Sequence, residues 1–207
     1  SIGTEFEYLD DLRFGLSTRN KIEKIDVDSS ASAKQKKQDG NYFDSFIGLD
    51  FFYDKRNQKY QTTSGFFSNY NVSIPILSDT NTFTNLYNYK IFKELYENNV
   101  STFSFSFQGS SSITGDDIKL SERLFIPGRK LRGFQSGKIG PKDGSDYIGG
   151  NYVSIINATT TIPKILENVQ SVDIVMFADA ANIWGVDYDS SLDKSGIRSS
   201  VGIGLDW

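Results

Sequence analysis

Apolar and polar residues trade places at every second position along most of this 207-residue chain, and nothing else in it limits the fold as tightly. In the opening SIGTEFEY, Ile2, Thr4, Phe6 and Tyr8 oppose Gly3, Glu5 and Glu7. After Asp10-Asp11, Leu12, Phe14 and Leu16 oppose Arg13, Gly15 and Ser17. The same beat returns with Phe43, Ile47, Leu49, Phe51 and Tyr53, with Tyr70, Val72, Ile74 and Ile76, and with Phe83, Tyr87, Tyr89 and Ile91. Phe103, Phe105 and Phe107 continue it, then Val172, Ile174, Met176 and Ala178, and finally Ile197, Val201, Ile203, Leu205 and Trp207. A period of two gives each segment one apolar face, and the count is about nine strands in an antiparallel all-β chain. Residues 151–162 also read as a strand, though of ambiguous phase.

The connections are unequal. Asp10-Asp11 and Glu97-Asn98 are tight turns, whereas residues 26–41, 115–147 and 185–196 are long and polar. Short turns on one side and long loops on the other suit a membrane-spanning barrel. The links over 54–64 and 163–170 fall on the short side without being minimal. A soluble β-sandwich also gives every strand one apolar and one polar face, so alternation leaves both architectures open. The 16 Phe and 11 Tyr favour strands over helices without deciding between them. No apolar run reaches the ~18 residues of a membrane-spanning helix. Spanning strands need only about 9–11 residues and escape that test. Ser1 is not followed by the charged and apolar regions of a signal peptide.

Absences narrow the chemistry. With no cysteine and no histidine, the chain has no disulfide, no thiolate or imidazole metal ligand, and no Ser-His-Asp or Cys-His pair. A net charge of −4 argues against nucleic acid. Residues 26–37 and 187–198 begin like calcium loops, but Ala31 and Leu192 hold the glycine position and basic residues the final ligand position. SGKIG lacks the flanking residues of a phosphate loop. Glu5 and Glu7 share a face with no sign of a cleft around them, and SSASAKQKKQ reads as a solvated loop tip. The expectation is no metal, no cofactor and no enzymatic activity.

RKLRGFQSGKIGPKDGSDYIGG, residues 129–150, breaks the alternation. Long structureless loops in compact folds are uncommon and are either functional or disordered. LRGFQSGKIGPK followed by IGGN, then MFADAANIWG, then GIRSSVGIGLDW, and more weakly DKRNQKYQTTSG, resemble the C-terminal barrel of the BamA outer-membrane assembly family, the bacterial surface-antigen barrel. Leu131, Arg132, Gly133 and Phe134 match that family's Arg-Gly-Phe/Tyr loop motif. The resemblance implies an antiparallel transmembrane β-barrel, of which this chain supplies about nine of about sixteen strands. Residues 1–207 would then be a partial barrel, without POTRA domains, first strands or last two strands.

The resemblance also implies roles. The loop folds back into the barrel lumen, and Arg132 docks on the inner-wall carboxylate of Asp179, which sits on the polar phase of its strand. A guanidinium bonds a carboxylate bidentately, which lysine cannot reproduce. Gly133 permits a turn or a close approach to the wall, and Phe134 packs against a lumen aromatic such as Phe177. The family's second acidic partner falls here on Thr159, which brings no charge. Lys138 and Lys142 read as solvated. The implied function is insertion and folding of β-barrel proteins in the outer membrane of a Gram-negative bacterium. The implied partners are unfolded outer-membrane β-barrel clients, accessory assembly subunits and outer-membrane lipid. A two-partner-secretion type transporter of the same superfamily and a porin-like channel are the rival readings.

Overall fold

The computed structural model describes residues 1–31, 33–97, 99–162, 173–194 and 196–206. Val172, Trp207, Asn98 and the link over 163–170 lie outside the described residues. Nine long strands form one antiparallel sheet: β1 (Ile2–Leu9), β2 (Leu12–Ile25), β3 (Gly40–Asp54), β4 (Gly65–Ser78), β5 (Thr82–Tyr96), β6 (Asn99–Ser112), β9 (Tyr152–Ile162), β10 (Asp173–Trp184) and β11 (Arg198–Asp206). Each pairs with the next in chain order, so β1 and β11 are the two edges and the sheet is open. Two short strands, β7 (Lys142–Asp143) and β8 (Asp146–Tyr147), make a small separate hairpin within the β6–β9 connection.

The register sends the alternating residues where their chemistry belongs. Phe6 pairs with Phe14 and Phe14 with Phe51; Tyr87 pairs with Phe107, Tyr89 with Phe105 and Ile91 with Phe103. Met176 pairs with Ile203 and Ala178 with Val201. All of these lie on one face, which carries no second layer among the described residues. Phe103 is 44 % exposed, Val201 82 % and Ile203 71 %. Neighbouring rings meet across the strands, with centroids 5.1 Å apart for Phe6–Phe14 and 5.0 Å for Phe14–Phe51. A contiguous apolar face of this extent is foreign to a water-soluble monomer, and it is the outward face of a membrane barrel. A sandwich interior is thereby excluded for Phe103, Phe105 and Phe107.

The opposite face carries Glu5, Gly15, Asp50, Asn88, Ser104, Asn157 and Asp179. The β6–β9 connection lies against it at β9 and β10. The buried apolar cluster sits at that contact: Leu124, Ile126 and Leu131 of the connection meet Val153, Ile155, Ala181 and Ile183 of the two strands, with Phe134 and Ile139 packed alongside. This explains the ambiguous phase of β9. Val153 and Ile155 face the loop while Ile156 faces outward, so both faces are apolar.

The tight β1–β2 turn holds Asp11 in the left-handed region at φ 70°. The connection over 113–151 and the described residues of the β10–β11 connection, 185–194 and 196–197, lie at one end of the sheet, where the sequence expects loops over 115–147 and 185–196. The β4–β5 connection at that same end is short, because Thr82 begins β5 soon after Ser78 ends β4.

The docked loop as candidate functional site

The loop is closed at its base by the backbone. Leu124 and Gly150 exchange N–H···O bonds of 2.8 and 3.0 Å, and Asn151 donates its N–H to Gly185 O at 2.9 Å. Two glycines make this approach possible. A Cβ on Gly149, where φ is 69°, would lie 2.5 Å from Leu124 O, and one on Gly150 would lie 2.6 Å from Trp184 O. A short 3-10 turn, Gly128–Lys130, then delivers Leu131 into the apolar cluster, fully buried. With Leu131 fixed, the next side chain points at β10.

That side chain is Arg132. Its Nε donates to Asp179 Oδ2 at 2.8 Å and its Nη2 to Oδ1 at 2.7 Å, while its backbone N–H adds a 3.1 Å bond to Oδ2. Asn157, paired with Asp179 across β9 and β10, donates to Oδ1 at 2.8 Å and to the loop carbonyl of Lys130 at 2.7 Å. The Asp179 side chain is 0 % exposed, so its charge depends on these donors. Removing a partner from such a buried pair costs about 3–5 kcal/mol. The Arg132 guanidinium also lies over the Phe177 ring, with Cζ 3.7 Å from the centroid. A partly desolvated cation–π contact adds roughly 1–2 kcal/mol.

Each residue singled out in the sequence has a definite place. Leu131 is core, Arg132 and Asp179 are hydrogen-bonded, and Thr159 accepts a 3.3 Å bond from Arg132 Nη2 without contributing charge. Gly133 turns the chain at φ 84°; its Cβ position is 4.0 Å from Ser200 Cβ, so a turn rather than a close approach requires glycine. Phe134 packs alongside the Leu124–Ile183 cluster, and the Arg132 guanidinium lies over the Phe177 ring. Lys138 and Lys142 are exposed beside the Tyr147 ring.

Phe177 needs room on its other side. It pairs with Gly202 of β11, where a Cβ would lie 2.6 Å from Phe177 Cζ. Gly202→Val is expected to displace the ring and loosen Arg132, lowering stability by about 1–3 kcal/mol. Thermal unfolding checks this, with Gly204→Val, where nothing lies within 4 Å, as the near-neutral comparison.

A family model for the Omp85 superfamily domain matches residues 1–207. The chain belongs to the Omp85 superfamily. No curated protein matches it in a sequence search. Among solved structures, BamA from Haemophilus ducreyi lacking POTRA domains 1–3 is similar, with a TM-score of 0.85 at 21 % identity. The match covers 99 % of this chain and 47 % of that one, so this Omp85 chain spans about half of the structure it matches. At that identity the likeness shows the fold: nine strands of this sheet superpose on a BamA barrel.

Two further cations tie the Omp85 loop down, and the sequence reading missed both. Lys119, with a side chain 3 % exposed, donates to Asp44 of β3 at 2.6 Å and lies within 3.4 Å of Glu23 and 3.6 Å of Glu122. Burial alone would lower the Lys119 pKa; the Asp44 hydrogen bond and the charges of Glu122, Asp44 and Glu23 outweigh it and hold the ammonium above the ordinary lysine value. Arg123 pairs with Asp187 of the β10–β11 connection, donates to Asn151 Oδ1 at 3.2 Å and covers the Tyr188 ring. Burial, then the nearby Asp143 carboxylate, pushes the Tyr188 phenol up to about 12. Gln38, from the β2–β3 connection, accepts from Leu120 N at 2.7 Å and donates to Ile118 O at 3.4 Å. The phase of β3 already placed Asp44 on the polar face. Nothing in the sequence nominates Lys119 as its partner.

Proposed function

We propose that this chain is the wall and folded-back loop of a BamA-type barrel that folds and inserts β-barrel proteins in a Gram-negative outer membrane. Residues 1–207 are, in this reading, part of a surface-antigen barrel whose remaining strands and POTRA domains lie elsewhere in the protein. The observation that carries the reading is the two-sidedness of the sheet. An exposed apolar face suits lipid, and on the reverse face Arg132 joins the loop to Asp179. The superfamily match and the BamA fold support it. In an assembly barrel an incoming strand pairs edge to edge at the seam, so that its N–H and C=O groups are satisfied before it meets lipid. The work is non-covalent, and its partners are unfolded barrel clients, accessory subunits and membrane lipid. The fragment contributes a fixed wall and a loop that keeps the inner face in shape.

A transporter of the same superfamily is the second reading. It is favoured by a hollow of ≈ 350 Å³ beside β2–β6, lined by polar residues such as Ser17, Asn71 and Ser73 and by apolar Phe46 and Leu86. Reconstitution of the full-length protein into liposomes with a denatured outer-membrane barrel separates the two. Assembly predicts faster acquisition of a protease-resistant, heat-sensitive folded client than in protein-free liposomes. Passage of an unfolded soluble polypeptide without client folding assigns transport instead. Ion conductance alone assigns a porin.

A further inference from the structure

In register across the inner face, Asp179 faces Asn157, Asn157 faces Ser104, and Ser104 faces Lys90. Lys90 is thus three strands from Asp179, about 14 Å at the spacing of paired strands, too far to be neutralised by it. The carboxylate on the other side of that row, Asp54, is already held by Arg56 at 2.7 and 2.8 Å. Above Lys90 the docked loop brings Arg129, Lys130 and Arg132 to the same cavity of ≈ 420 Å³, with Thr102 and Ser104 in its wall. Arg132 uses Nε and Nη2 on Asp179 and Thr159. Among the described residues, Lys90, Arg129 and Lys130 form no ion pair; Lys90 has the Phe92 ring, 4.8 Å from Nζ. A chain of net charge −4 therefore gathers uncompensated cations around one hollow. Like charges at such range repel and weaken the fold unless an anion joins them.

We infer that this hollow is a binding site for carboxylates of an acidic polypeptide segment. Lysine and arginine side chains bind carboxylate and phosphate alike, and the reading of this barrel as one that handles polypeptides selects the carboxylate. Here the donors are long lysine and arginine side chains and hydroxyls, spread over a strand and a loop. That arrangement suits spaced carboxylates on an extended chain. The inference deepens the reading of this barrel as one that handles polypeptides by giving the favoured segment a charge. Its test measures binding apart from insertion, so either can fail alone.

The experiment uses the full-length protein in detergent and fluorescence anisotropy of a labelled, glutamate-rich peptide, with a glutamine-rich peptide of equal length beside it. The expected result is binding of the glutamate peptide only, weakened by salt. Lys90→Gln with Lys130→Gln should weaken it about tenfold, the loss expected of two screened charges. Because Lys130 holds Asn157 through its carbonyl, these substitutions leave the Arg132 anchor in place, which thermal unfolding no lower than that of the unsubstituted protein verifies. Arg129→Gln, at an exposed position, supplies a second variant with the same expected direction. Equal binding of both peptides, or binding unchanged in the variants, overturns the site. Saturable inorganic phosphate binding that needs Lys90 and Lys130, with no peptide binding, overturns the polypeptide assignment.

Discussion

Arg132→Ala in the full-length protein is expected to lower barrel stability by about 3 kcal/mol, the lower end of what unpairing a buried charge costs. Asp179, whose side chain is 0 % exposed, would keep the Asn157 amide and the backbone N–H of residue 132 as donors but lose both bonds from the guanidinium. The lower end applies because Arg132 itself is 32 % exposed and part of its charge is already hydrated. The loop would also lose its hold on Phe177. Arg132→Lys should recover little, because an ammonium cannot span both carboxylate oxygens and lie flat on the ring. The readout is the temperature at which the compact form is lost on unheated gels, together with client folding in liposomes. Wild-type behaviour in both would remove the anchor from any role.

Lys119→Met is expected to be at least as damaging, about 3–5 kcal/mol. Methionine keeps much of the volume, so the loss is electrostatic. Lys119 is the shared cation of Asp44, Glu23 and Glu122, and without it Asp44 and Glu122 face each other unpaired while Glu23 keeps Lys21. Ser78 and Thr80 would still donate to Asp44, which softens its desolvation but not the repulsion. Adding Asp44→Asn to Lys119→Met should therefore restore part of the stability. Thermal unfolding of the single and double variants decides the matter; additive losses would mean that Lys119 acts through packing alone.

Much of this architecture was written in the alternation. A strand with one greasy face is specified locally, residue by residue, so strand count and the shared face of Phe103, Phe105 and Phe107 could be read directly; that this face lies open rather than inside a sandwich rested on the resemblance. Resemblance, not periodicity, pointed to Arg132 and Asp179, while the phase of β10 independently put Asp179 on the polar face. The reading faltered where two surfaces meet. β9 looked phaseless because Val153 and Ile155 serve the loop while Ile156 serves the outer face. The place of Phe134 beside Leu124 and Ile183 has no local signal either, since the cluster forms only where loop and sheet meet. Asn157 is an ordinary strand asparagine in sequence; only the register with Asp179 gives it work. Lys119 and Asp44 are 75 positions apart, and no local pattern marks a pair made by a loop crossing back over its sheet.

The β6–β9 connection lies docked on the polar face of the sheet, with Gly133 beside Ser200 of β11. A Cβ at Gly133 would be 4.0 Å from Ser200 Cβ, within the ~3.5–4.5 Å that a disulfide requires. The 207 residues contain no cysteine of their own. Gly133→Cys with Ser200→Cys, introduced into the full-length protein in membranes, should cross-link under mild oxidation. The strain of a side chain at φ 84° costs about 1–2 kcal/mol and lowers stability without moving the sites apart. Gly133→Cys with Ser199→Cys is the comparison, since Ser199 lies on the opposite face of β11 from Ser200. A reducible cross-link for the first pair and none for the second is the predicted result; no cross-link in either, with Gly133→Cys freely labelled by a membrane-impermeant maleimide, would contradict the docked loop.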